Sequence, residues 1–434
     1  MSSPDRGQNT SGEREASIRL TTAEGSGAVV LQVLPALEAG GGGVERTAVD
    51  VAAAVVEAGG TALVASEGGA MEHEIRRAGA EHITMPLATK SPLGIRRNAR
   101  RLQRLVIERQ VDILHARSRA PAWSAYLTAR RLGCHFVTTF HGTYGHANAL
   151  KRLYNAVMTK GERVIANSEF IAEHIRQTYR IDPQRVRVIQ RGVDIERFDP
   201  ERVSAERVIQ LANTWRLPDG VPVVMLPGRL TRWKGQGLLI DAVARLGDLD
   251  LICILVGADQ GRTAYRRELE NKIASLGLTG RVWLMDACDD MPAAYKLADV
   301  VVNASIEPEA FGRVVSEAQA MGRPVVAARH GGVPEQVIPD RTAFLVEPGD
   351  PEAFAEGIRQ ALSLQSYGRE RLAREAIEHA RRFFSRERMC NRTLAVYQEL
   401  LRADAYARMS ADGQAGEDGR DGGGRKTAGS LTEG

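Results

Sequence analysis

The sequence predicts an α/β protein built from two doubly wound parallel-sheet domains. Short continuous runs of β-branched and aliphatic residues alternate with longer amphipathic stretches, the pattern of strands buried on both faces by helices. The series runs once from Val29–Leu34 to Val186–Ile189, then restarts at Pro222–Leu226 after the polar stretch Asp199–Gly220. At 434 residues the chain also exceeds what one hydrophobic core commonly organises.

The first domain, expected over 28–200, carries strand candidates Val29–Leu34, Ala62–Ala65, Ile113–His115, Phe136–Phe140, Val164–Ala166 and Val186–Ile189. The second, expected over 201–384, carries Pro222–Leu226, Leu251–Val256, Val282–Met285, Val300–Asn303, Pro324–Ala327 and Ala343–Val346. A surplus helical segment at about 385–404 follows the complete second unit. Residues 1–27 and 405–434 are rich in Gly, Ser, Thr and charge and read as disordered tails.

Hydrophobic content of 43% and charged content of 26% are those of a soluble globular protein, and a net charge of +4 gives no ground for nucleic-acid binding. The cysteines at 134, 253, 288 and 390 have neither metal-ligand nor disulfide-framework spacing and read as packed, reduced thiols. The N-terminus lacks the apolar core of a signal peptide, and no run of about 18 apolar residues occurs, so a cytoplasmic location is expected. Between positions 96 and 131 stand ten arginines (Arg96, Arg97, Arg100, Arg101, Arg104, Arg109, Arg117, Arg119, Arg130 and Arg131) against Glu108 and Asp112. This segment is either a solvated helix face or a surface drawn to an anionic membrane or acceptor.

Ligands of doubly wound sheets bind outside the carboxyl ends of the strands, so strand exits deserve attention. The first strand leads into Glu38-Ala-Gly-Gly-Gly-Gly-Val-Glu45, where glycines allow close backbone approach to a phosphate or sugar. It fails as a dinucleotide fingerprint, because the third glycine position falls on Glu45 or Arg46. The Phe136–Phe140 run ends in His141-Gly142, an imidazole open to a cleft or held structurally by backbone; His141 and His146 make poor metal geometry on their own. The second domain opens with Gly228-Arg229 and, five residues on, Lys234-Gly235, two cations able to neutralise a diphosphate. The Val300–Asn303 strand leads to Glu309-Ala-Phe-Gly-Arg-Val-Val-Ser-Glu317, with Glu309 in the loop and Glu317 about a turn and a half into a helix whose N-terminal amides favour anions. Arg329-His-Gly-Gly-Val-Pro-Glu335 follows the next strand. Asp289-Asp290 reads as a helix cap in preference to a metal site.

Taken together, Gly228-Arg229 with Lys234-Gly235, Glu309/Glu317 with Phe311-Gly312, and Gly331-Gly332-Val-Pro-Glu335 resemble the GT-B retaining glycosyltransferases of family 4. Gly42-Gly43-Val-Glu45, His141-Gly142, Ala166-Asn167-Ser168 and Arg191-Gly192-Val-Asp194 agree, and the resemblance covers about residues 28–404. It implies two facing Rossmann-like domains, a C-terminal crossover helix at about 385–404, and a nucleoside-diphosphate sugar in the cleft. Arg229 and Lys234 would bind the diphosphate, Glu309 the sugar hydroxyls, and Glu317 the ribose. Amides around Gly312, Arg313 and Val314, and of Gly42 and Gly43, would approach phosphate or sugar, with Gly228 and Phe311 in the same donor set. His141 would lie by the transferred sugar, making Glu309, His141, Arg229 and Lys234 the catalytic group. The resemblance implies same-face attack with retention and no metal or other cofactor. The expected acceptor is a glycan or lipid-linked glycan of lipopolysaccharide, capsule or exopolysaccharide, reached through peripheral membrane contact by the arginine-rich segment. A soluble acceptor, a sugar-nucleotide epimerase and a non-catalytic binding protein are the alternatives.

Overall fold

A computed structural model describes residues 18–38, 43–144 and 149–418, with side chains through Ala405. The first half contains β1 (Val29–Val33), α1 (Gly43–Glu57), β2 (Thr61–Ser66), α2 (Glu72–Arg77), β3 (Glu81–Thr84), α3 (Pro92–Glu108) and β4 (Ile113–Ala116). It continues through α4 (Arg119–Leu132), β5 (His135–Phe140), α5 (Ala149–Asn155), β6 (Arg163–Ala166), α6 (Glu169–Tyr179) and β7 (Val186–Val188). The second half contains α7 (Ala205–Trp215), β8 (Val223–Pro227), α8 (Gln236–Ala244), β9 (Ile252–Val256), α9 (Thr263–Ser275), β10 (Val282–Met285) and α10 (Met291–Leu297). After these come β11 (Val300–Asn303), α11 (Arg313–Ala320), β12 (Val325–Ala328), β13 (Phe344–Val346), α12 (Pro351–Leu362), α13 (Ser366–Phe383) and α14 (Arg386–Asp418).

The strands form two parallel sheets, ordered β3-β2-β1-β4-β5-β6-β7 and β10-β9-β8-β11-β12-β13. Each reverses its winding once, between β1 and β4 and between β8 and β11, which opens a crevice at the strand exits. The central strands β4, β8, β9, β11 and β12 are buried throughout, and they are apolar except for His115 in β4 and Asn303 in β11. All twelve expected strands are present. The additional one, β3, reads Glu-His-Ile-Thr and lies at the sheet edge, where one face and one flank need no apolar cover.

The tails differ from expectation at both inner margins. Residues 18–27 include an antiparallel bridge between Thr21 and Gly27, and Leu20 is fully buried in the first core. Thr21 exchanges backbone bonds with the Gln398 side chain, so the last helix holds this turn in place. That helix, α14, continues to Asp418 instead of ending near 404. It crosses back onto the first half and packs on α1, contributing Met389, Leu394, Tyr397, Leu400 and Leu401 to the first core.

The two passages of chain between the halves are bonded to each other. Val193 N–H donates to Phe384 O (2.7 Å), Arg386 N–H donates to Val193 O (2.8 Å), and Arg386 pairs with Asp194 (2.8 Å). Beside this junction Asp50 of α1 is buried, and that burial pushes its carboxyl from an ordinary 3.8 up to about 6 against the pull of Arg46, Arg313 and Arg386. Because the folded value is raised, ionising Asp50 destabilises the fold increasingly between those two pH values and by a constant amount above them. Asp50→Asn should therefore leave stability unchanged near pH 4 and raise it by roughly 2–3 kcal/mol at pH 8. Denaturant unfolding at the two pH values checks this.

Candidate active site

The cleft between the halves contains a cavity of about 490 Å³ lined by residues of both. Gly43, His141, Gly142, Asn167 and Arg191 come from strand exits of the first sheet. Gly228, Arg229, Lys234 and the segment Glu307–Val314 come from the second.

On the second side, β8 delivers Gly228-Arg229, and a short helical turn then carries Lys234. Gly235 ends that turn with φ +76°, and a Cβ there would stand 1.8 Å from the carbonyl oxygen of Ala304. Only glycine permits this contact, which brings Lys234 against the β11 exit. Lys234 Nζ lies 2.7 Å from Glu309 Oε1, and both side chains are largely buried. The same oxygen accepts from Asn303 Nδ2 (2.9 Å) and from Ser305 Oγ. Burial alone would raise the Glu309 carboxyl, but Lys234, Ser305 and Asn303 together hold it below its ordinary value. The carboxyl is therefore ionised at neutral pH. Oε1 carries all three of these partners, and Glu309 lines the cavity. Arg229 lines the cavity, and among the described residues its guanidinium has no ion pair.

Gly312 caps α11 with φ +87°, and the start of that helix, with Phe311, Arg313 and Val314, lines the cavity. Glu317 lies one turn into the same helix. It lies outside the cavity wall, with Oε2 accepting from Tyr295 Oη (2.9 Å) and Oε1 paired with Arg313 (3.0 Å). From this turn of α11 its side chain reaches Tyr295 of α10 and its own helix neighbour Arg313.

On the first side, His141 Nδ1 accepts from Arg191 (2.9 Å), which fixes the neutral ring with its proton on Nε2. Burial, then Arg191, Arg117 and His115, keep the imidazole well below its ordinary titration range. Arg191 is itself buried, and it also donates to Gly43 O and to Thr47 Oγ1 (2.9 Å). A Cβ on Gly43 would stand 2.5 Å from the Arg191 guanidinium, so a side chain here would displace Arg191 from its bonds to Gly43 O and His141. Gly42, expected in the donor set, lies outside the described residues, as does His146.

Glu335 ties the two halves together across the cleft. Its carboxylate oxygens accept from the first two amides of α6, Glu169 N–H (2.7 Å) and Phe170 N–H (2.6 Å). The arginine-rich segment divides. Arg96, Arg97, Arg100, Arg101 and Arg104 of α3 and Arg130 and Arg131 of α4 are exposed, next to the exposed apolar side chains Leu93, Ile107 and Leu127. Arg117 instead is 2% exposed and donates to Gln32, and Arg119 stacks 4.4 Å over Tyr144 and donates to Asn155 (3.0 Å). The β4 exit turns these two inward, a placement their sequence context does not reveal. Among the described residues no helix is long and apolar enough to cross a membrane.

Two family models match in succession, Glycosyltransferase Family 4 over residues 41–197 and Glycosyl transferases group 1 over residues 210–383. Among curated proteins, the D-inositol 3-phosphate glycosyltransferase of Salinispora tropica is 36% identical over 264 residues, covering 58% of this chain and 54% of that protein. The chain thus spans about half the length of the first curated relatives it matches. Among solved structures, a glycosyltransferase from Rickettsia africae superposes with TM-score 0.80 at 35% identity, covering 86% of this chain and 98% of that one. Anabaena HepE in complex with UDP and glucose superposes with TM-score 0.73 at 25% identity, covering 84% and 98%. With two parallel sheets facing across a cleft and both halves matched, the chain belongs to the GT-B glycosyltransferases of the family 4 type.

Proposed function

We propose that this protein transfers a sugar from a nucleoside-diphosphate sugar to a hydroxyl of an anionic glycan or lipid-linked acceptor, with retention of anomeric configuration. The observation that carries the reading is the ionised Glu309, clamped through one oxygen by Lys234 and facing the same cavity as Arg229 and the α11 amides. In this reading Arg229, Lys234 and the Gly312–Val314 amides take up the negative charge that develops on the departing diphosphate, the task of preorganised cations and N–H groups in a dry site. Glu309 Oε2 holds sugar hydroxyls, and the Nε2–H of His141 donates to the sugar from the opposite wall. The acceptor oxygen attacks on the face from which the diphosphate leaves, and its proton passes to the leaving phosphate oxygen. The reading assigns no step to a divalent ion. It also includes a cytoplasmic enzyme working at a membrane surface in surface-glycan assembly, supported by the exposed arginines of α3 and α4 with Leu93, Ile107 and Leu127 beside them.

A second reading keeps the chemistry but makes the acceptor a small soluble anion. The names of the curated relatives, D-inositol 3-phosphate glycosyltransferases, favour it, as do Arg191 in the first wall and the buried Arg117 near His141. The test is a panel of UDP-, GDP- and ADP-sugars offered with and without EDTA, followed for nucleoside diphosphate release and for product anomer by NMR. Release that survives EDTA and gives a retained anomer is expected; inversion, or no release from any donor, sinks the proposal. Salt-reversible binding to anionic vesicles favours the lipid-linked acceptor, and its absence favours the soluble one.

A further inference from the structure

The first wall of the cleft holds a polar group that nothing so far employs. Asn167 follows β6 and is 2% exposed, yet among the described residues neither its Oδ1 nor its Nδ2 has a hydrogen-bond partner. Nε2 of His141 is likewise unpartnered. Leaving a buried amide unpaired costs on the order of 1–3 kcal/mol, so a fold retains one where a ligand completes it.

Placement follows from strand register. Phe140 of β5 and Ala166 of β6 are partners, so His141 and Asn167 are the next residues on neighbouring parallel strands, roughly 5 Å apart. Both line the cleft cavity, and the β7 exit supplies Arg191, which engages His141 and leaves Asn167 free. The opposing wall comes close at this point. A Cβ on Gly332 would stand 2.4 Å from Ala310 O and 3.1 Å from the Cβ of Ser168, and one on Gly331 would stand 2.4 Å from Glu309 O. Asn167, next to Ser168, therefore borders the part of the cleft walled by the Glu309–Ala310 backbone, with His141 beside it.

We infer that Asn167 is a substrate-contacting residue whose amide reads hydroxyl groups of the transferred sugar. This rests on the donor reading above. A carboxamide offers two donors and one acceptor, which match vicinal hydroxyls that each give and take a hydrogen bond. A phosphate would engage Nδ2 alone and set Oδ1 against an anion. The unpartnered Nε2–H of His141 adds a third donor to the same subsite.

The test compares wild type with the near-isosteric Asn167→Leu, and with Asn167→Ala should the leucine variant fail to fold. Affinities for UDP and UDP-glucose, GDP and GDP-mannose, and ADP and ADP-glucose are measured by calorimetry, alongside the melting temperature of the ligand-free protein. For whichever pair wild type binds, the sugar nucleotide should weaken by about 5–20-fold while the bare diphosphate stays within about twofold. The ligand-free leucine variant should melt at or above the wild-type temperature, because an unpaired amide has been removed. Equal weakening of both ligands, unchanged affinity for both, or a lower melting temperature with unchanged affinities would overturn the inference, the last marking an amide bonded to structural water. If wild type binds none of the six, the donor reading itself falls and the subsite falls with it.

Discussion

Lys234→Met should lower kcat/KM by about 10²–10³-fold, the scale for losing one donor aimed at transition-state charge. It should also destabilise the protein by roughly 3–5 kcal/mol, because the Glu309 carboxylate stays buried with its cation gone. Asn303 and Ser305 remain as donors, but neither carries charge. The two effects separate by pH. In the wild type the Glu309 carboxyl lies below its ordinary value, so its contribution to stability is present above that value and is lost as pH falls through the lower folded one. Without Lys234 burial dominates, the folded value rises, and stability should instead fall as pH rises through the acid range. Adding Glu309→Gln should restore most of the stability and none of the activity. Urea titrations at pH 5 and pH 8 on the two single variants and the double, with turnover on each, close the cycle. A single Lys234→Met variant as stable as wild type at pH 8 would mean that the ion pair does not form in solution.

Gly235→Ala should cost about 3 kcal/mol or more and most of the activity, from the addition of one methyl group. The left-handed backbone at φ +76° contributes about 1 kcal/mol of this. The larger part is collision: the new Cβ would sit 1.8 Å from Ala304 O, a backbone atom at the exit of the fully buried β11. Either α8 or that exit must move by more than an ångström, and Lys234 on one side and Ser305 on the other move with it. Gly237 provides the control two residues along. It lies inside α8, and a Cβ there meets nothing within 4 Å, so Gly237→Ala should stabilise by up to about 1 kcal/mol through helix propensity. Thermal unfolding of the pair checks the contrast; similar losses in both variants would show that chain stiffness, not the Ala304 contact, sets the cost.

Most of the fold was legible because its strands are buried on both faces and are therefore mostly apolar. β3 escaped because an edge strand can be written Glu-His-Ile-Thr. Leu20 escaped because one apolar residue in a polar run is uninformative until α14, nearly 380 positions later, covers it. In the site, Glu309, Arg229, Gly312 and His141 could be found because parallel sheets bring their strand exits together, and the sequence marks exits with glycine and charge. Pairings remained hidden. Nothing near Lys234 says that its partner is 75 residues away, or near Arg191 that it holds a histidine 50 residues earlier. Asn167 stood in a recognisable Ala-Asn-Ser run, but its lack of partners is a property of three dimensions. For Glu317, spacing on a helix fixed its distance from Glu309 but not its partners, Tyr295 and Arg313.

The return of α14 onto α1 bears on the order of synthesis. The first core lacks Met389, Leu394, Tyr397, Leu400 and Leu401 until the ribosome has passed residue 401, after both sheets have been synthesised. His115, deep in the first sheet, waits as long for the Tyr397 hydroxyl it meets at 2.6 Å. The second half can close its own core first, although it is made later. Nascent chains therefore carry a nearly complete sheet with the α1 flank bare, and premature termination before about Met389 would leave that flank uncovered for good. Such truncated products should be recognised by chaperones and proteases as unfinished, whatever the state of their cleft.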